Sequence, residues 1–351
     1  VTGTPVRINL ALQGGGAHGA FTWGVLDRLL AEPGIEIAGI SGTSAGALNG
    51  AALKAGLLEG GADGARAALE TLWQQVGGLG DWRVRGWVQP FLPFADLAAA
   101  TAARMAEAAL PVSPQGVAAQ VFSPYAYGPF WHNPLAPVVD RFRYDRVCAH
   151  EGPALFVSAT NVRTGKIRVF QGDEISTASI LASACLPTLF QAVEIPDPRT
   201  GAVEAYWDGG YSGNPALFPL FARDLPDDIV VVNINPLRRE EVPRTPYEIQ
   251  NRINEISFNS SLLRELRAIH FVHELIAAGR VEPGSMKDVR LHMIADDALM
   301  NTLSAASKVA PTPWLLHRLR TAGHEAAARF LDAHGADLGR RASVDLPAMF
   351  G

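Results

Sequence analysis

Short apolar runs separated by glycine-rich turns dominate the first part of the chain. Residues 7–12 form one such run, ending at Gly14-Gly15-Gly16, and from Ala20 the residues Phe21, Val25, Leu26, Leu29 and Leu30 recur at helical spacing. The order is strand, glycine turn, helix. It repeats at once: residues 35–40 read as a strand, 41–46 as a tight turn of small residues and 47–55 as a helix. Two consecutive strand–helix units favour a parallel sheet covered on both faces, since each crossover returns the chain over the sheet.

Between residues 77 and 133 the periodicity lapses. That stretch carries Trp82, Trp87, Phe91, Phe94, Phe122, Tyr125, Tyr127, Phe130 and Trp131 among many prolines, with one alanine-rich helix predicted near 97–110. It reads as an insertion or cap over the sheet. Its aromatics are taken first as the core of that cap, with an acyl pocket or a lipid contact as the alternative.

Regular structure resumes with a strand at 154–159 and a hairpin around Thr164-Gly165 that returns through 167–170. A turn at 197–201 separates strands at 192–195 and 203–206, and the second leads into Asp208-Gly209-Gly210. The Ile-Val-Val-Val run within 229–235 reads as a buried strand and 289–295 as another, while 248–278 and 314–333 read as helices. With no internal repeat and no linker, one α/β domain over 1–351 is expected. Its core spans about 7–240, its cap about 77–133 and its helical C-terminal part about 245–351.

Composition narrows the function classes. Hydrophobic residues make up 48% and charged residues 19% of 351, which suits a folded chain rather than a disordered one. Lys and Arg number 30 against 35 Asp and Glu, so the net charge of −5 offers no electrostatic ground for a nucleic-acid partner or for strong attraction to anionic membranes. Cys148 and Cys185 lack the spacing of a zinc site or a disulfide framework, and a reducing, cytoplasmic compartment is the simpler expectation. No signal peptide is read at the N-terminus. No run reaches the ~20 apolar residues a membrane span needs, so any membrane contact is expected to be peripheral.

Gly42-Thr43-Ser44-Ala45-Gly46 fits the nucleophile elbow, where a serine sits on a strained strand-to-helix turn that small neighbours allow to close. The strand before it and the helix after it are the setting that motif requires. A chance GxSxG in a small-residue loop is the bland alternative. Gly14-Gly15-Gly16 ends the neighbouring strand, and glycine amides there would serve an oxyanion, with Gly15 and Gly16 the preferred donors. The same loop satisfies GxGxxG through Gly14, Gly16 and Gly19. A dinucleotide site further needs an acid at the end of the second strand, which here ends in Ile40-Ser41, so that rival is disfavoured.

A serine hydroxyl needs a base, and the histidines supply no convincing one. His270 and His273 fall in a predicted helix, His292 inside a strand, and His317, His324 and His334 in the last helix. Asp208 stands at a strand end before two glycines. It reads either as an ordinary Asp-Gly turn or as a carboxylate presented to a neighbouring loop.

Together the loop from Gly14 to Gly19, the elbow from Gly42 to Gly46 and Asp208-Gly209-Gly210 resemble the patatin-like phospholipase family, as does Ala182-Ser183-Ala184-Cys185-Leu186-Pro187 with Phe190. The resemblance runs from Asn9 to about Ala216. It implies a three-layer α/β sandwich with a mostly parallel central sheet, and a Ser-Asp dyad without histidine. Ser44 is then the nucleophile and Asp208 the base, with Gly14, Gly15 and Gly16 as the oxyanion hole and Gly42, Gly46, Gly209 and Gly210 as motif support. Where the family's loop commonly carries Arg or Lys, this chain has His18, so no fixed positive charge is expected from the loop itself. The implied reaction is hydrolysis of lipid carboxylic esters through an acyl-enzyme, with no cofactor and no metal. Other acyl esters, such as hydroxyalkanoate oligomers, and non-catalytic binding of acyl ligands are the alternative readings. The oligomeric state is not legible in the sequence.

Overall fold

Among the described residues, eight strands form the sheet: β1 (Val6–Leu12), β2 (Ile35–Gly42), β3 (Ala154–Asn161), β4 (Ile167–Gln171), β5 (Val193–Asp197), β6 (Ala202–Asp208), β7 (Asp228–Asn233) and β8 (Arg290–Ala295). The structure is a computed structural model in which residues 4–79, 123–125, 132–199, 201–282, 284–303 and 305–350 are described. Neighbours β3, β2, β1, β7 and β8 pair in parallel in that order. β4, β5 and β6 extend the sheet through antiparallel pairings around β3.

The helices that frame the site are α1 (Gly19–Leu30), α2 (Ala45–Gly78), α3 (Thr177–Ser183), α4 (Pro246–Ala277), α5 (Ala305–Val309) and α6 (Pro313–His334). Period-two alternation in the strands splits the core between two faces. Ile8, Leu10 and Leu12 of β1, with Val230 and Val232 of β7, join Phe21 and Leu26 of α1, Leu53 of α2 and Leu319 of α6. Ala11, Ile229 and Val231 turn the other way, onto Leu262, Leu266 and Ile269 of α4. The result is the three-layer α/β sandwich, with a mostly parallel sheet at its centre.

The C-terminal part is built into this framework. It supplies β8, and its helix α6 crosses α1 where Gly24 lies against the Arg320 carbonyl and Gly323 against the Phe21 carbonyl. A β-carbon at either glycine would overlap the opposing backbone, so the two helices approach this closely only because both residues lack one.

One helix departs from the reading at 47–55. α2 continues through Gly78, breaking at Gly60 and at Gly61, whose φ is 61°, and it folds back so that Ala65 packs on Gly56. Its second half brings Trp73 and Val76 to the carboxyl end of the sheet. The cap boundary read at Gly77 therefore falls inside the last turn of α2. Trp82, Trp87, Phe91, Phe94, Phe122, Tyr127, Phe130, Trp131 and the helix near 97–110 lie outside the described residues.

Candidate active site

β2 ends at Gly42 and α2 begins at Ala45, leaving Thr43 and Ser44 to turn the chain. Ser44 holds φ 53° and ψ −120°, and among the described residues it alone combines a side chain with positive φ. Such a conformation costs on the order of 1–3 kcal/mol and persists only where its surroundings enforce it. Here Thr43 N–H donates to the Leu12 carbonyl (3.2 Å), Gly46 N–H to the Thr43 carbonyl (2.8 Å) and Thr43 Oγ1 to the Gly213 carbonyl (2.7 Å). Ser44 N–H donates to Ser183 Oγ of α3 at 2.8 Å. Gly46 packs so tightly on the Leu12 carbonyl that a β-carbon would overlap it, and one at Gly42 would meet the Gly46 carbonyl.

Asp208 reaches the elbow by an arrangement of strand ends. β4 occupies one edge of β3, and both β2 and β6 occupy the other, with Gly42 opposite Val157 and Asp208 opposite Ala159. The two strands thus meet head to head, carboxyl end to carboxyl end. Gly209 then turns away directly over the Ser158 carbonyl, beside Thr43 Cγ2, in a space no β-carbon fits.

The Asp208 side chain is buried and accepts the Gly210 N–H at 2.7 Å, and the Ser44 hydroxyl beside it favours its charged form. Burial pushes its pKa from the ordinary carboxylate range up to about 7, while the Gly210 N–H and the Ser44 hydroxyl oppose the rise. A carboxylate so placed is a far better base near neutral pH than an exposed one at ~3.9.

The glycine loop follows β1, which lies beside β2, so the loop and the elbow share the carboxyl end of the sheet. Its three glycines are not equivalent. Gly14 N–H donates to Asn214 Oδ1 at 2.7 Å. Gly15 and Gly16 N–H donate to no other group among the described residues. A cavity of about 1000 Å³ opens over Gly15, Gly16, Ser44 and Asp208, with largely apolar walls that include Leu48, Trp73, Val76, Leu186, Leu189 and Phe190. Among the described residues no His, Cys, Asp and Glu cluster suits a metal ion.

A sequence model of the patatin-like phospholipases matches residues 10–221, the stretch that holds the glycine loop, the elbow and Asp208. The chain belongs to the patatin-like phospholipase family. That places it among lipid acyl hydrolases. The solved structure of VipD from Legionella pneumophila is similar at 16% identity and a TM-score of 0.42, over 94% of this chain and 67% of that one. No curated protein matches the chain.

Around the patatin-like motifs lies a buried amide cluster that sequence reading missed. Gln13 Oε1 accepts the Ile234 and Asn235 backbone N–H groups at 2.9 and 3.0 Å, and its Nε2 donates to Asn259 Oδ1 at 3.1 Å. Asn235 Nδ2 donates to the Gly14 carbonyl at 2.9 Å, and Asn259 Nδ2 to the Asn235 carbonyl at 3.2 Å. The one available signal was Gln13 itself, a polar residue closing an apolar strand just before three glycines. Its partners lie more than 200 residues away, beyond the reach of any local pattern.

His18 is buried and neutral, its pKa lowered to about 3 by burial first and the nearby Lys308 second, and its Nε2 meets Ser307 Oγ at 2.7 Å. Lys308 lies against Gly16 and lines the cavity.

Among the described residues no histidine is a hydrogen-bond partner of Asp208, although His132 borders the cavity. His292 does stand between a carboxylate and a serine, with Nε2 3.1 Å from Asp228 Oδ1 and Nδ1 3.1 Å from Ser343 Oγ. It lies toward the opposite end of the strands. There Asp228 also accepts from Gly339 N–H and Arg290, so the group ties the C-terminal segment to the sheet. Cys148 and Cys185 are free thiols. Burial, and secondarily the Asp208 charge, pushes Cys185 up to about 12.

Proposed function

We propose that this chain hydrolyses carboxylic esters of lipids by a Ser44–Asp208 dyad working through an acyl-enzyme. The observation that carries the reading is a conformationally forced Ser44 that shares its cavity with the buried Asp208 carboxylate, whose pKa burial raises. Asp208 takes the Ser44 proton as Oγ attacks the acyl carbonyl. The N–H groups of Gly15 and Gly16 receive the developing oxyanion, a role that glycine amides fill without side-chain obstruction. The ester C–O bond then breaks, and the alcohol leaves with the proton held by Asp208. Water, deprotonated by the same carboxylate, attacks the acyl-Ser44 ester and releases the acid, so one base serves both halves.

The apolar cavity supports an acyl chain as the group held against Ser44, since burying such a chain gains roughly 0.8 kcal/mol per methylene. Among the described residues no helix is long and apolar enough to cross a membrane. We read the substrate as reaching the cavity from solution or from a lipid surface. We also read the chain as one domain, because β8 and α6 complete the layers that the family-matched part begins.

The test is to trap the intermediate. Brief exposure to a p-nitrophenyl acyl ester, an acid quench and peptide mapping should place one acyl group on the peptide containing Ser44. An acyl group on another residue, or turnover with no trapped adduct in a burst regime, contradicts the mechanism.

A further inference from the structure

We propose that Lys308, outside the family-matched region, is a positioning residue of this site: it clamps the glycine loop from α5 and supplies the positive charge that the loop itself lacks. The inference rests on the Ser44–Asp208 reading given above.

Three ties join α5 to the loop. The Lys308 backbone carbonyl packs directly on Gly16, leaving no room for a β-carbon there. Lys308 Nζ donates to Asn235 Oδ1 at 2.8 Å, and that same side chain donates through Nδ2 to the Gly14 carbonyl at 2.9 Å. Ser307 Oγ meets His18 Nε2 at 2.7 Å. Gly16 holds φ 58°, a conformation that suits glycine and that the backbone of α5 caps from outside. Lys308 thus touches the loop on its outer face with its main chain and fixes it, through Asn235, with its ammonium. The segment that follows, Ala310 to Pro313, forms part of the cavity wall, so α5 links loop and pocket.

The charges facing Lys308 come from three places. Glu255 of α4 favours the ammonium, while Arg239, after β7, opposes it. Glu255 is itself paired with Arg239 at 2.6 Å and Arg252 at 3.2 Å, so its charge is shared. His18 on the loop side is neutral. Burial is the largest influence and lowers the Lys308 pKa to about 8, against the partial support of Glu255. A group so poised is charged at neutral pH and loses that charge within the working range of an esterase. An oxyanion forming at Gly15 or Gly16 would then lose a nearby positive field, while the bond to Asn235 survives because a neutral amine still donates.

The experiment compares wild type, Lys308→Arg and Lys308→Met on a neutral short-chain ester across pH 6–10, with melting curves alongside and Ser44→Ala as control. Wild-type kcat/KM is expected to fall as pH rises through about 8. Lys308→Arg should keep the neutral-pH rate within a few-fold and move that alkaline limb above pH 10. Lys308→Met should lower kcat by ~10-fold or more, the size of one charge-assisted hydrogen bond, with KM little changed and the limb gone. Full kcat in Lys308→Met, or a limb near 8 that persists in Lys308→Arg, overturns the role. The arginine profile decides the matter alone if the methionine variant does not fold. Turnover that survives Ser44→Ala removes the dyad and this role together, whereas Ser44-dependent turnover indifferent to Lys308 removes only this role.

Discussion

Gly42 and Asp208 face the same edge of β3, opposite Val157 and Ala159, so the strand that delivers the serine and the strand that delivers the carboxylate end against each other. Between the two ends the chain turns at Gly209, pressed on the Ser158 carbonyl beside Thr43 Cγ2. Gly209→Ala should therefore push Asp208 away from Ser44. We expect a stability loss of ~1–3 kcal/mol by denaturant titration and a fall in kcat beyond tenfold. Gly34→Ala, where a β-carbon meets nothing within 4 Å, should leave both unchanged and so controls for the glycine replacement itself.

Asn214 is a second lever on the site. Its Oδ1 accepts the Gly14 N–H at 2.7 Å, and its own backbone N–H is held by Ser261 Oγ at 3.1 Å. Asn214→Ala strands a buried N–H in the glycine loop, for a cost of ~1–3 kcal/mol. Steady-state kinetics should show kcat reduced more than KM is raised. Equal kcat in the variant would mean that the loop keeps its shape without this bond.

Much of this arrangement is legible in the chain because it is local. The strand–turn–helix units around Gly14 and Ser44 each declare themselves within about ten residues, by an apolar run, small residues and renewed helical spacing. β6 and its Asp208-Gly209-Gly210 end are visible for the same reason. The second half of α2 was not, because Gly56, Gly60, Gly61 and Gly64 interrupt the apolar pattern where the helix breaks and the chain folds back on itself. Nor does the sequence announce that β2 and β6 share one edge of β3, a relation set by three separate pairings. Asn214, Asn235, Asn259 and Lys308 act through bonds to side chains or loops far away in the chain, and a lone Asn or Lys carries no periodic signature of such a task.

Asp208 should couple activity and stability in opposite senses. Its folded pKa, about 7, lies above the ordinary carboxylate value of 3.8, so the folded protein binds the extra proton. The stability it contributes is fully present below about pH 4, declines as pH rises, and is lost once pH passes about 7. Turnover needs the ionised form and should rise through the same range. Asp208→Asn, which keeps the acceptor for Gly210 N–H but carries no charge, should be more stable than wild type at pH 8, by an amount that shrinks toward pH 4, and inactive throughout. Thermal melts of both proteins at the two pH values check this; a variant less stable than wild type at pH 8 would contradict the burial argument.

The most direct measurement is fluorescent fluorophosphonate labelling alongside turnover of short-chain esters, lysophospholipid, phospholipid and hydroxybutyrate oligomers, for wild type, Ser44→Ala and Asp208→Asn. Labelled wild type with turnover of lipid esters, no label and no turnover in Ser44→Ala, and both reduced by several orders of magnitude in Asp208→Asn are expected. Undiminished labelling or turnover in folded Ser44→Ala would contradict the Ser44–Asp208 mechanism.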